Sequence, residues 1–215
     1  MEKLNIKQTK QMILYVADKI IENRIILNEV DSQIGDGDHG TGMSLGFSKV
    51  KEQLDNRAMK SINEIFQTTG MTMISSMGGA SGIIFGSMFQ GGVKGLDTLI
   101  ELGLKDLCKI FTASLDVIKT RGKASIGDKT MIDAFQPAVE SICNSAESST
   151  SFLKALQLAE ECAKHGVENT KQQTAKFGRA KSLFDRVIGH QDAGATSTWI
   201  IFKSMREWLE QNAET

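Results

Sequence analysis

The sequence holds a single proline, Pro137, against 20 glycines, and only three cysteines. A chain this poor in proline, with long stretches of 3.6-residue periodicity, reads as helical. The cysteines, Cys108, Cys143 and Cys162, have neither CxxC spacing nor an even count, which suits reduced thiols in a cytoplasmic protein. No apolar run approaches the roughly 20 residues of a membrane span, and no charged-then-apolar opening reads as a signal peptide. No excess charge is present either: 25 Lys and Arg face 26 Asp and Glu, for a net charge of -1. That balance excludes the basic field with which a protein holds nucleic acid or an anionic membrane. A GxxxxGK[ST] motif is also missing, so a P-loop nucleotide site is excluded.

What is present is a set of amphipathic helices in one domain, 1–215, of 215 residues with room for a substantial core. Ile13, Val16, Ala17 and Ile20 follow helical spacing to a stop near Asn23, and a shorter helix runs from about Ile25 to Asp31. Further helices are predicted over 43–54, from a Ser61-Ile-Asn-Glu64 capping box to about Met77, over 83–90, and from a cap at Asp97 to about Thr120. A helix kinked at Pro137 follows, then a turn at Ser148, Ser149 and Thr150, and a helix over 151–170. After a long connection, 171–194, a last helix carries Ala195, Trp199, Phe202, Met205 and Leu209 on one stripe. No stretch alternates long enough to be a strand. The fold class is all-α, an up-and-down bundle of eight or nine helices. In such a bundle successive connections alternate between the two ends, which brings 31–42, 78–82, 122–128 and 171–194 to one end.

The stretch that stands out is 31–46, DSQIGDGDHGTGMSLG, in which Asp31, Asp36 and Asp38 fall within eight residues between Gly35, Gly37 and Gly40. Glycines let the chain turn tightly enough for three carboxylates to converge, and carboxylates so close raise one another's pKa unless a cation intervenes. Oxygen ligands without cysteine suit a hard ion. An EF-hand would need a Glu twelve residues on, where Gly42 stands, so Mg²⁺ with a phosphate is favoured over Ca²⁺. The alternative is an Asp/Gly turn capping a helix with Asp38 or Thr41. The glycines also spell GxGxxG, but the preceding residues are helical rather than a strand and the two Asp would repel a pyrophosphate, so no dinucleotide site is read.

Other loops at that end fit a phosphate ligand. Gly78-Gly-Ala-Ser-Gly82 precedes a helix, whose free N–H groups form an anion site with the Ser81 hydroxyl, unless it is a plain helix-helix turn. Asp192 can cap the last helix or bond a ribose or base. Lys129 is offered to a phosphate, Met131 to a base, and Arg179 to the ligand or to a surface ion pair. His39 bonds phosphate or fixes its loop; His190 serves similarly, while His165 lies mid-helix as a surface or packing residue. Met71, Met73 and Met77 read as core filler. No nucleophile or poised base is evident, so these residues imply binding rather than a named reaction.

The motifs Asp31-x4-Asp36-Gly-Asp38-His-Gly-Thr41, Gly79-Ala-Ser-Gly82, Gly127-Asp-Lys-Thr-Met131 and Gly189-His-Gln-Asp192, in this order over nearly the whole chain, resemble the nucleotide-binding L subunits of dihydroxyacetone kinases. The resemblance implies an eight-helix antiparallel barrel with ADP or ATP at one end and two Mg²⁺ on Asp31, Asp36 and Asp38. It implies nucleotide contacts at His39, Gly40, Thr41, Gly42, Ala80, Ser81, Gly122, Met131, Arg179, Asp192, Ala193 and Gly194. In this family the ketose sits covalently on a His of a separate K subunit or domain, of which this sequence has no trace. A chain of this length resembles the phosphotransferase-system form, whose bound ADP is rephosphorylated by a phosphohistidine M subunit. A homodimer is expected.

Three positions depart from the family pattern: Gly42 stands where Asn is usual, and Ile83 and Ala193 where Pro is. They leave the metal site intact. Alternatives are a kinase subunit for another small ketose such as erythrulose, the nucleotide-binding part of a fatty-acid-kinase-like system, and a subunit that binds a transcriptional activator.

Overall fold

The computed structural model describes residues 2–148 and 150–212; Ser149, part of the turn predicted at 148–150, lies outside them. The chain enters through a three-residue strand, β1 (Lys3–Asn5), and Asn5 then caps helix α1 (Ile6–Glu22). The cap is reciprocal: the Gln8 N–H donates to the Asn5 side chain at 2.9 Å and the Asn5 N–H to the Gln8 side chain at 3.0 Å. Met12, Ile13, Val16, Ala17 and Ile20 form the buried stripe of α1. A short helix, α2 (Arg24–Ser32), leads to the acidic loop, and α3 (His39–Asp55), α4 (Ile62–Met77) and α5 (Gly79–Gln90) follow. Strand β2 (Glu101–Gly103) precedes α6 (Leu104–Gly122), α7 (Ile132–Glu147) and α8 (Phe152–Thr170); a 3₁₀ segment (Arg179–Val187) and α9 (Ala193–Asn212) complete the fold.

Each long helix packs on the next, α1 on α3 and so on to α8 on α9, and α9 returns to α1. The result is a closed up-and-down ring of eight helices, with α2 outside it against α3 and α9. Inside runs a chain of phenylalanines from six helices, Phe47, Phe66, Phe89, Phe111, Phe135 and Phe202, with ring centroids 5.5–6.3 Å apart and mostly edge-on or tilted. Such contacts add about 0.5–1.5 kcal/mol each beyond the area they bury. No helix among the described residues is long and apolar enough to cross a membrane.

The approach of α8 to α7 explains how Pro137 is accommodated inside α7. Proline has no N–H to give the carbonyl of Asp133 one turn back. Gly166 of α8 lies against that carbonyl so closely that a Cβ there would be 2.0 Å from its oxygen. Only glycine permits this approach, and its Cα–H faces the oxygen that the helix leaves free.

Several expectations are corrected. Asp97 caps no helix: the side chain of Asn63 donates to the Asp97 carbonyl and accepts from the Leu99 N–H, holding this segment extended, and α6 starts at Leu104 with Asp106 accepting the Gly103 N–H. Two strands do exist, paired antiparallel with Leu4 opposite Leu102; three residues each are too few for alternation to register. Helix α5 begins at Gly79 rather than Ile83, so the Gly-Ala-Ser-Gly run is its first turn. Of the methionines, Met73 is core, but Met71 is exposed and Met77 lines the cavity described below. The thiols also differ: Cys108 of α6 and Cys143 of α7, with Cα atoms 5.0 Å apart, form a disulfide, leaving Cys162 free. The bridge joins neighbouring helices at the end of the ring away from the acidic loop.

Thiol titration of the denatured protein checks that pairing. One reactive thiol is expected after air oxidation and three after reduction; three without a reductant would mean that the pair is open. Because the bridge closes a loop spanning 35 residues, reduction is expected to cost about 4 kcal/mol of stability.

Candidate functional site

The acidic loop is organised by one of its own carboxylates. Asp31 sits in the last turn of α2, and its Oδ2 accepts the N–H groups of Gly37, Asp38 and His39 at 2.9, 3.1 and 3.3 Å. Gly35 passes so close to Asp31 that a Cβ would meet its Oδ1 at 2.4 Å, and Gly37 takes a φ of +77° that side chains resist. The fold thereby brings oxygens of Asp31, Asp36 and Asp38 within 4.8 Å of one another. The carboxyl of Asp38 is held above its ordinary range, chiefly by burial and then by the charge of Asp36. Arg179, from the connection between α8 and α9, forms an ion pair with Asp36.

Helix α3 begins at His39. Gly40 is buried where α2 crosses; a Cβ there would lie 2.1 Å from the Arg24 carbonyl. Asn28 of α2 brackets the next residue, accepting the Thr41 N–H at 2.9 Å and donating to its hydroxyl at 3.0 Å. His39 reaches across to α9, its Nε2 2.8 Å from the Ser197 hydroxyl and its ring 5.9 Å from that of Phe85. Burial pushes its pKa down, so the ring is neutral at pH 7 and serves as a fixed hydrogen-bonding wall.

A cavity of about 670 Å³ opens over these residues. Asp31, Asp36, Asp38, His39, Thr41 and Gly42 line one side, Ala80 and Ser81 another, and Met131, Arg179, Asp192, Ala193 and Gly194 the rest. Thirteen of the fifteen residues picked out in the sequence therefore share one surface. Of the other two, Gly40 lies beneath it, and Gly122 lines an adjoining apolar cavity of about 330 Å³ with Ile83, Ile118, Ala124 and Ile132. Ala80, Ile84, Thr130, Met131, Phe177 and Gly178 belong to both cavities. The N-terminus of α5 points its free N–H groups here, the first backbone bond into that helix being Gly82 N–H to Gly78 O at 3.4 Å.

Asp192 caps α9, its Oδ2 accepting the Ala195 N–H at 2.7 Å. Burial raises its pKa to about 7, against the opposing pull of that N–H and of Lys129. Lys129 is not available to a phosphate as expected. It is 2 % exposed, and its ammonium donates to the carbonyls of Thr170 and His190. The ring of His190 pairs with Gln33 at 2.7 Å, and His165 is exposed on α8. Asn28, Ser197 and Phe177 were missed in the sequence because each lies on a helix or loop with no motif around it.

The DAK2 domain model matches residues 33–207 of the chain. The ADP-binding subunit DhaL of the PEP-dependent dihydroxyacetone kinase of Escherichia coli strain K12 is 42% identical over 179 residues, 83% of this chain and 85% of that protein. The ADP-binding subunit DhaL of the PTS-dependent dihydroxyacetone kinase of Lactococcus lactis is 35% identical over 204 residues, 95% of this chain and 98% of that protein. Among solved structures, the dihydroxyacetone kinase from C. freundii in complex with AMP-PNP and Mg²⁺ superposes with a TM-score of 0.75 at 22% identity, over 96% of this chain and 35% of that one; this likeness concerns the fold. With its ring of eight helices, its acidic loop and these relatives, the chain belongs to the DAK2 domain family, among the DhaL-type subunits of dihydroxyacetone kinases.

Proposed function

We propose that the chain carries Mg²⁺-bound ADP or ATP as the L-type subunit of a dihydroxyacetone kinase that passes a phosphoryl group from a phosphohistidine on an M-type subunit to dihydroxyacetone held on a K-type subunit. The observation that carries this reading is the convergence, in one cavity, of an all-oxygen carboxylate cluster with the free N–H end of α5, beside an apolar cavity of a size to take a base.

The donor chemistry fits the metal. Asp31, Asp36 and Asp38 offer only hard oxygen ligands, and burial with the neighbouring charge of Asp36 raises the pKa of Asp38. Bound there, Mg²⁺ supplies positive charge against the phosphate oxygens. The chain's own groups do the positioning. Backbone N–H groups of Gly79, Ala80 and Ser81 face an anion from the positive end of α5, and Thr41 with Gly42 lies at the start of α3. The apolar faces of Ile84, Met131 and Phe177 lead toward Gly122 and Ile118, where a purine finds dispersion contacts. His39 is tied through Nε2 to Ser197 as a fixed wall, and catalysis on this subunit rests on orientation and electrostatics. The acceptor binds elsewhere, which suits a cavity open to solvent for a second protein to approach.

Native mass spectrometry of protein purified in Mg²⁺ tests the reading: a mass increment of ADP plus two Mg²⁺ is expected, lost on treatment with EDTA. A bare chain that gains nothing from ADP and Mg²⁺ would overturn it. Asp36→Asn is expected to weaken retention more than about 100-fold, beyond the loss of an outer-shell partner, with an unchanged far-UV spectrum, because among the described residues Asp36 is tied to side chains, Arg179 and Asp38, and to no backbone group. A collapse of helicity would instead make the acidic loop structural.

The raised pKa of Asp192 sets a pH dependence. The folded chain keeps a proton that the unfolded chain releases near 3.8, so this contribution to stability is full below that value and is lost as the pH rises through about 7. In nucleotide-free protein, Asp192→Asn keeps the acceptor for the Ala195 N–H and removes the titration. The melting temperature of the wild type is expected to fall relative to the variant between about pH 4 and pH 8; a constant difference would refute the assignment.

A further inference from the structure

The connection from α8 to α9 is a strap whose two ends meet. The Gly189 N–H donates to the Lys171 carbonyl at 2.7 Å, and the Asp192 N–H to the Thr170 hydroxyl at 3.0 Å. Between them, the chain folds over a small core of its own, Ala175 and Val187 against Ile34. The strap carries Phe177, Gly178, Arg179 and Ala180 to the cavity and sets Arg179 on Asp36. Side ties hold it: the Gln173 side chain donates to Asp133 at 3.0 Å, and Lys176 pairs with Asp128 at 2.6 Å.

Lys129 sits where the two ends come together. It belongs to neither end but to the loop between α6 and α7, and its ammonium donates to Thr170 O at the entry and His190 O at the exit. Two features mark this as more than incidental. The backbone of Lys129 has a φ of +59°, a conformation that glycine takes without strain and that costs other residues about 1 kcal/mol or more. The Lys129 side chain is also fully enclosed, although burying an ammonium is costly without partners. The partners here are a carbonyl of the last turn of α8, where the helix dipole is negative, and the carbonyl that ends the strap.

We propose that Lys129 is a positioning residue that pins both ends of the 171–191 strap, holds the cavity wall formed by 177–180 over the acidic cluster, and so sets how long a bound nucleotide stays. The last part rests on the function proposed above. Lys129 also borders the cavity, and the pin acts through the strap: removing it frees the neck, and Arg179 and Phe177 lose their fixed distance from the ring.

The test combines hydrogen exchange with nucleotide release in two variants of the full chain. Lys129→Met keeps the stem and deletes the charge, and Lys129→Gly deletes the side chain and relieves the backbone. In both, exchange at Gly189 and Lys176 is expected to quicken about tenfold or more, as loss of charge-assisted hydrogen bonds implies, with amides of α1 and α7 unchanged as the control for global folding. Release of ADP with Mg²⁺ is expected to quicken by a similar factor while the rate of capture stays within about twofold. Unchanged exchange in the strap would overturn the pin, and a loosened strap with unchanged release would overturn its hold on the ligand. Failure of the wild type itself to bind ADP with Mg²⁺ would count against the proposed function instead, with strap exchange still deciding whether Lys129 holds the neck.

Discussion

The open end of this molecule depends on the carboxylate of Asp31. Its Oδ2 gathers three successive backbone N–H groups, which turns the chain from α2 into α3 and fixes where the carboxylates of Asp36 and Asp38 lie. A carboxylate in such a nest is strongly held. One residue thus supplies both the fold of the loop and part of its charge. Like charges gathered there repel one another, and the Arg179 guanidinium answers Asp36 while Asp38 has its pKa raised by burial and by Asp36. A site held this way is arranged in advance for positive charge.

The ring of helices turns that local arrangement into a cavity. Because each helix reverses the direction of the last, the connections at one end are free to carry glycine, acid and hydroxyl residues, while the helices bury a continuous apolar interior. The two ends differ in construction. One is loop-rich and lined with unpaired helix termini; the other carries the short β1–β2 pair and the Cys108–Cys143 bridge. The strap and the acidic loop at the open end are held by a few backbone bonds, such as Gly189 N–H to Lys171 O and Gly35 N–H to Asp31 O, together with side-chain ties.

Much of this was legible in the residues. The stripe of α1 and that of α9 follow helical spacing with little interruption, Ser61 caps α4 as read although the Glu64 side chain takes the Lys60 N–H rather than closing the box, and counting helices places the four polar loops together. What failed did so for tertiary reasons. Asp97 has the chemistry of a cap, yet Asn63, 34 residues earlier, claims its carbonyl. Gly79 and Gly82 read as loop because glycine is a poor helix former, whereas here they open α5. The partnership of Cys108 and Cys143 is set by the packing of α6 on α7, which spacing does not encode. Lys129 beside Gly127 suggested an exposed phosphate ligand; its left-handed backbone turns the side chain inward instead.

The closure of α9 on α1 has a consequence for how the molecule comes into being. The acidic loop is made before Ser197, which receives His39, and before Asp192, which caps the helix forming the far wall. A nascent chain stopped before α9 has its acids in place and lacks both the wall opposite them and the helix that seals the core against α1. The competence of the site is therefore coupled to the making and docking of α9.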